Sequence, residues 1–270
     1  MEFRLFQVDA FAARPFEGNP AAVVPLDAWL SEEQMLAIAA ENNLAETAFF
    51  VPEGEGYDLR WFTPTVEVDL CGHATLATAH VILSRLAPER EAVSFETRSG
   101  TLTVTRGREG RYAMDFPARP SRPMPAPKDL GAMIGVQPRM VFTGTNLIAV
   151  FDSAADVARL NPAFEPLARC LGPRNQGLIA TAPGDDGSGF DFVSRFFAPA
   201  HGINEDHVTG SAHCDSVPYW AKKLKKPELV ARQISPRGGT VWCRLDGERV
   251  VLEGMCADYL DGTITLGPRS

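Results

Sequence analysis

The run Asp69-Leu70-Cys71-Gly72-His73-Ala74-Thr75 sets a thiol, a glycine and an imidazole at the mouth of an apolar segment. Three kinds of chemistry suit such a group: attack by a nucleophilic thiol, metal ligation, or anion binding by the free N–H groups and positive dipole end of a helix start. The run has a counterpart near the other end of the chain. Thr209-Gly210-Ser211-Ala212-His213 repeats its figure, and each copy follows an Arg-aromatic-Phe-small-Pro run, Arg60 to Pro64 and Arg195 to Pro199.

Two further pairs match: Asn19-Pro20-Ala21-Ala22-Val23 with Asn146-Leu147-Ile148-Ala149-Val150, and Leu44-Ala45-Glu46-Thr47-Ala48 with Leu178-Ile179-Ala180-Thr181-Ala182. In chain order the offsets are 127 (19 to 146), 134 (44 to 178), 135 (60 to 195) and 138 (72 to 210). A rising series of this kind indicates a duplicated unit with a few extra residues in its second copy; the period is far too long for a solenoid. The sequence thus predicts two related halves facing one site.

A duplication lets the chain act as its own control. Glu46 faces Ala180 in the comparison, His73 faces Ser211 and Cys71 faces Thr209. Where one copy manages with a methyl group, the fold does not need the Glu46 carboxylate. Either Glu46 is a strand-edge residue turned to water, or it is a buried carboxylate whose pKa burial raises toward the range of a general acid or base. His73 is either a satisfied core histidine or a donor at the helix mouth. Gly72 and Gly210 serve either close packing or an anion gripped by the helix starts. Asp206 is either an N-terminal helix carboxylate or a ligand for a substrate amine or hydroxyl. His201, His207 and His213 stand six residues apart, which does not place them on one helical face, so no metal is expected.

These residues must be positioned by regular elements. Residues 3–9 alternate as a half-buried strand, Ala21 to Val24 reads as a second strand, and Ser31 with Gln34 forms a capping box for a helix whose apolar face is Met35, Ile38 and Ala39. Strands follow at 44–51 and 57–62. From Gly72 to about Leu86 apolar side chains surround most of a helix, the pattern of a buried one. Strand-like segments at 93–98, 101–105 and 111–116 complete the first half. Residues 117–127 carry five prolines and cannot continue a helix or a sheet interior. A second buried helix is predicted from Gly210 to before Lys225, with strands at 228–234, 240–245, 248–253 and 263–266.

The predicted architecture is α+β: two pseudo-repeated domains, each a highly curved, mostly antiparallel sheet wrapped around a central buried helix. The domains are residues 1–117 and 128–270, joined by a Pro-rich linker at 118–127, with the last strand able to return to the first domain.

With 270 residues and 45% hydrophobic content the chain can bury one or two cores, and a formal net charge of −8 argues against non-specific attraction to nucleic acid or anionic lipid. The N-terminus lacks a signal-peptide core, and no stretch approaches the roughly 18 apolar residues of a membrane span. The five cysteines (71, 170, 214, 243, 256) are odd in number and form no C-x-x-C pair, which fits reduced thiols in a cytoplasm.

Gly18-Asn19-Pro20-Ala21-Ala22-Val23, Leu44 to Phe49, Asp69 to Thr75 and Glu205-Asp206 through His213, in this order and spacing, resemble the PhzF-like isomerases of the phenazine-biosynthesis family. The resemblance spans essentially the whole chain, through Ser235-Pro236-Arg237-Gly238-Gly239. It implies a diaminopimelate-epimerase-like fold, a cofactor-free active site between two domains, a small-molecule carboxylic acid substrate and a homodimer. It also implies a proton shift within a small cyclic or unsaturated acid, with Glu46 as general acid/base, His73 assisting and Asp206 contacting substrate. Substrate-binding positions are then expected at Asn19, Cys71, Gly72, Thr209, Gly210 and Ser211. Related racemases use two facing cysteines; here Thr209 and Ser211 stand where the second would be, so epimerisation through Cys71 is the alternative. A non-catalytic acid-binding protein is the other. His207 stands where the family usually has Pro.

Overall fold

Ser31 opens α1 (Glu32–Asn42): its Oγ accepts the Gln34 N–H at 3.3 Å while the Gln34 side-chain oxygen accepts the Ser31 N–H, a reciprocal capping box. Met35, Ile38 and Ala39 then pack inward against Leu5, Ala22, Val24, Phe49 and Phe62. Each such Phe, fully removed from water, contributes roughly 1.5–3 kcal/mol. The computed structural model describes residues 1–267, which divide into two units: Met1–Asp115 with the chain from Glu253 onward, and Phe116–Leu252.

The first unit carries β1 (Glu2–Ala10), β2 (Asn19–Pro25), β3 (Glu46–Glu53), β4 (Gly56–Phe62), β5 (Glu67–Val68), β6 (Ala92–Glu96), β7 (Leu102–Arg106), β8 (Tyr112–Pro117) and the long C-terminal β18 (Cys256–Thr265). β1 pairs antiparallel with β18 from Glu2 opposite Thr265 to Ala10 opposite Cys256, with a bulge at Gln7/Val8. Its other edge holds β2, also antiparallel; β2–β3 is parallel, β3–β4 antiparallel, β4–β6 parallel and β6–β7 antiparallel. Against β1, β2 and β3 lies α2 (Gly72–Val81), in which every residue but Gly72 and His80 is buried. Having no solvated face, this helix is stable only where sheet covers it.

The second unit carries β9 (Arg122–Met124), α3 (Leu130–Ile134), β10 (Met140–Thr143), β11 (Leu147–Val150), α4 (Ala154–Ala158), α5 (Phe164–Leu171), β12 (Leu178–Pro183), β13 (Phe192–Ala198), β14 (Ile203–Asp206), α6 (Gly210–Leu224), β15 (Glu228–Gln233), β16 (Gly239–Asp246) and β17 (Arg249–Gly254). Its pairings repeat the first unit's in type and order: β10–β11 antiparallel, β11–β12 parallel, β12–β13 antiparallel, β13–β15 parallel, β15–β16 antiparallel. β14 sits on β13 as β5 sits on β4. The architecture is therefore a sheet-dominated α+β fold with one buried helix in each unit.

Residues 118–127 are not a free tether. Arg122–Met124 pairs antiparallel with β10, Ala118 donates to the Glu248 carbonyl at 2.8 Å and Arg119 to the Cys214 carbonyl at 3.1 Å. Proline removes one donor from a ladder but leaves its carbonyl, so a three-residue strand with Pro123 at its centre still pairs. The three short helices α3 to α5 escaped the sequence reading, although Phe164, Leu167 and Leu171 of α5 stand at i, i+3 and i+7 and pack into one core.

Asp215, in the middle of α6, is 1% exposed. Asn146 donates to its Oδ2 at 2.6 Å and takes the Gly177 N–H on its own Oδ1. Burial, outweighing the Asn146 hydrogen bond and the Arg119 charge, pushes the Asp215 carboxyl from 3.8 up to about 6. A folded-state pKa above the unfolded one means the folded protein binds this proton more tightly, so the stability cost is absent below about pH 4 and complete above about pH 6. Asp215→Asn, measured by calorimetry, is expected to gain roughly 1–3 kcal/mol at pH 8 and nothing at pH 4. An unchanged melting temperature at pH 8 counts against this account.

Candidate functional site

Four side chains converge in the first unit. Asn19 and Glu46 are the opening residues of β2 and β3, whose parallel register sets Ala21 beside Glu46. Cys71 is the N-cap of α2, extended at φ −142°, and makes no side-chain cap bond; Thr75 instead donates its hydroxyl to the Cys71 carbonyl at 2.6 Å. His73, in the first turn, is 6% exposed. Its Nε2 stands 3.0 Å from Glu46 Oε2, its Nδ1 3.3 Å from Asn19 Nδ2 and 3.5 Å from Cys71 Sγ.

Burial disfavours the Glu46 carboxylate, but the His73 charge and bond, with Cys71 behind them, outweigh it and hold the carboxyl below its usual value. The sequence-based expectation was a raised pKa from burial alone; the facing imidazole, which Ser211 lacks in the other copy, reverses the sign. Burial also disfavours the His73 imidazolium, yet Cys71, once ionised, and Glu46 hold its pKa well above the ordinary range. Burial first and Glu46 second push the Cys71 thiol up. The thiol thus keeps its proton at neutral pH, and the carboxylate is the anion that keeps His73 charged. The result is a carboxylate 3.0 Å from an imidazolium at the mouth of α2, where the dipole favours negative charge.

The second unit has its own helix mouth. Asp206 ends β14, and its carboxylate accepts from the Thr209 hydroxyl. Thr209, the N-cap of α6, likewise makes no side-chain cap bond, and its carbonyl accepts from His213 Nδ1 at 2.8 Å, as the Cys71 carbonyl accepts from Thr75. Burial lowers His213 to about 4, so it is the neutral ring that donates. Gly210 is buried and Ser211 half-buried. Of the residues singled out from sequence, then, Asn19, Glu46, Cys71, Gly72 and His73 gather at the start of α2, and Asp206, Thr209, Gly210 and Ser211 at the start of α6.

Two features escaped the sequence reading. Gln233, wholly buried at the end of β15, donates to the Asp206 carbonyl and accepts the Thr209 N–H, both at 2.9 Å, and so fixes the turn before α6. In each unit the duplicated arginine also forms a bidentate pair: Arg60 with Glu67 at 2.7 Å through both oxygens, Arg195 with Glu205 at 2.7 and 2.8 Å. The arginine duplication was visible, but its acid lies 7 residues on in one copy and 10 in the other (60 to 67, 195 to 205), so no fixed spacing announced it.

Residues 8–262 match the model of a family described as phenazine biosynthesis-like protein. An uncharacterised isomerase of Pseudomonas aeruginosa is 49% identical over 98% of this chain and 100% of its own length. The crystal structure of a PhzF-family phenazine biosynthesis protein from Enterococcus faecalis superposes with a TM-score of 0.92 at 43% identity, covering 98% of this chain and 100% of that one. A predicted epimerase from Pseudomonas aeruginosa, at 19% identity and a TM-score of 0.76 over 98% of this chain and 100% of its own, shares the fold.

Proposed function

Because this chain belongs to the phenazine biosynthesis-like, PhzC-PhzF family and is an isomerase of that family, we propose that it shifts a proton within a small cyclic or unsaturated carboxylic acid without help from a cofactor. The observation that carries this reading is the buried Glu46–His73 pair, 3.0 Å apart at a helix N-terminus. In the proposed reaction the Glu46 carboxylate removes a proton from the activated carbon of the acid and returns it elsewhere on the same face. His73 steadies Glu46 while it is anionic and, with Asn19 on its other ring nitrogen, is held in one orientation. The first-turn N–H groups of α2, at Gly72 and beyond, bind the substrate carboxylate. Asp206 and the Thr209-Gly210-Ser211 turn are proposed as a polar binding feature of the same kind on the second unit.

Cys71 supports a second reading, epimerisation through a thiol, because its Sγ lies against the His73 ring. The upward push on its pKa by burial and by Glu46 weighs against this, since only a thiolate removes a proton from carbon.

Incubation with a panel of small cyclic and unsaturated carboxylic acids in deuterated water, followed by NMR, tests both. The proposal expects deuterium to enter an acid of this class and Cys71→Ala to retain most of that exchange. Loss of exchange in Cys71→Ala with Glu46→Gln still active would replace the carboxylate mechanism by the thiol one, and no exchange into any acid of the panel would count against proton transfer in this class.

A further inference from the structure

Glu46, Cys71 and His73 offer an oxygen, a sulfur and a nitrogen that lie within 4.8 Å of one another. His73 Nε2 is 3.0 Å from Glu46 Oε2 and 4.0 Å from Cys71 Sγ. A tetrahedral zinc ion sits about 2.0–2.3 Å from such donors, which places the donors roughly 3.3–3.7 Å apart. The observed separations bracket that range, so modest side-chain rotation satisfies it. We propose that these three residues form a binding site for a thiophilic divalent cation, zinc above all, with the fourth position open.

Three further observations point the same way. Glu46 Oε2 is buried and takes no aligned hydrogen bond, although Nε2 stands 3.0 Å away; oxygen and nitrogen are near each other without the ring N–H being aimed at the oxygen. Once the ring has given up its proton, that oxygen and that nitrogen can both meet a third atom. The donors differ in kind: a carboxylate, an imidazole and a sulfur together select zinc, cobalt or similar ions over magnesium or calcium, which prefer all-oxygen shells. Asn19 faces the ring nitrogen that would not bind metal; its amide NH2 stands 3.3 Å from Nδ1, and turning the amide over would set its oxygen there to accept the Nδ1–H of a ligating imidazole.

On binding, the cation displaces two protons to the buffer, one from the Cys71 thiol and one from Nε2 of the charged His73 ring, and bonds to the sulfur and to that nitrogen; no electron is transferred. The pair of anionic ligands then matches the charge of a divalent ion, whereas an unpaired charge in so buried a place is costly. Occupancy would block the atoms that the proton transfer uses, a consequence that alone rests on the proposed function; the site itself does not.

Cobalt titration of the purified protein tests the site independently of turnover. The expected result is one cobalt per chain, with intense visible bands of tetrahedral cobalt and a near-ultraviolet sulfur-to-cobalt band, both erased stoichiometrically by zinc. Cys71→Ser is expected to lose the sulfur band and Cys214→Ser, altered in a different buried helix, to keep it. Asn19→Ala is expected to weaken binding about 10- to 100-fold. Should Cys71→Ser fold poorly, X-ray absorption of the zinc-loaded wild-type protein decides the matter: one sulfur and at least two lighter donors support the proposal. No bands with cobalt in excess, a sulfur band that survives Cys71→Ser, or a sulfur-free shell would overturn it.

Discussion

Replacing Glu46 by Gln is expected to leave a folded protein whose proton transfer is slower by about 10²- to 10⁴-fold. Gln preserves the volume and one carbonyl oxygen for His73 but neither accepts nor returns a proton at carbon-acid strengths. The repeated sequence sets Ala180 at the place of Glu46, so the fold is expected to stand without the carboxylate. The control is His73. Its folded pKa is raised, so it stabilises the protein fully below about pH 6.5 and progressively less as pH climbs through the folded value; Glu46, whose pKa is lowered, stabilises above about pH 4.5 and less as pH falls through its folded value. Wild-type stability should therefore lose the pair's contribution on both the acid and the alkaline side. Glu46→Gln should flatten both limbs, with the His73 ring titrating lower by NMR. Wild-type exchange rates in a variant that shows this flattening would remove Glu46 from the mechanism.

Gly18→Ala is expected to cost roughly 3 kcal/mol or more, read from the midpoint of urea unfolding at unchanged slope. Gly18 has φ +66°, and a Cβ there would stand 2.1 Å from the Ala10 carbonyl oxygen and 2.9 Å from Ala12 Cβ. The first obstacle is backbone, held in the β1–β2 ladder where Ala10 lies opposite Asn19. Neither atom can yield without moving that rung. Because Asn19 is the next residue and contacts His73, turnover should fall along with stability. A variant within about 1 kcal/mol of wild type would show that the turn relaxes easily.

The helix starts at Gly72 and Gly210, the Ser31–Gln34 cap and most strand cores were legible because each is written in local spacing. The end of the chain was less so. Residues 256–262 of β18 are broken by Asp258, Asp261 and Gly262 and read as a loop, yet their partner is β1, from which they are separated by almost the whole sequence. Long-range pairing leaves no local signature. The candidate site was legible through difference: Glu46, Cys71 and His73 stand where the second copy has Ala180, Thr209 and Ser211. What spacing did not carry was their mutual distance, and with it the sign of the Glu46 shift, which a neighbour 27 residues away (46 to 73) determines.

The pairing of β1 with β18 also imposes an order of events during synthesis. The second unit, Phe116–Leu252, is one continuous stretch and can complete its ladders as soon as it leaves the ribosome. The first unit emerges earlier but lacks the strand that covers the outer edge of β1 until the whole second unit has been made. Domains usually fold in the order in which they are translated. Here the N-terminal unit is expected to finish last, and a nascent chain stalled before Cys256 would expose the β1 edge to chaperones or to other chains.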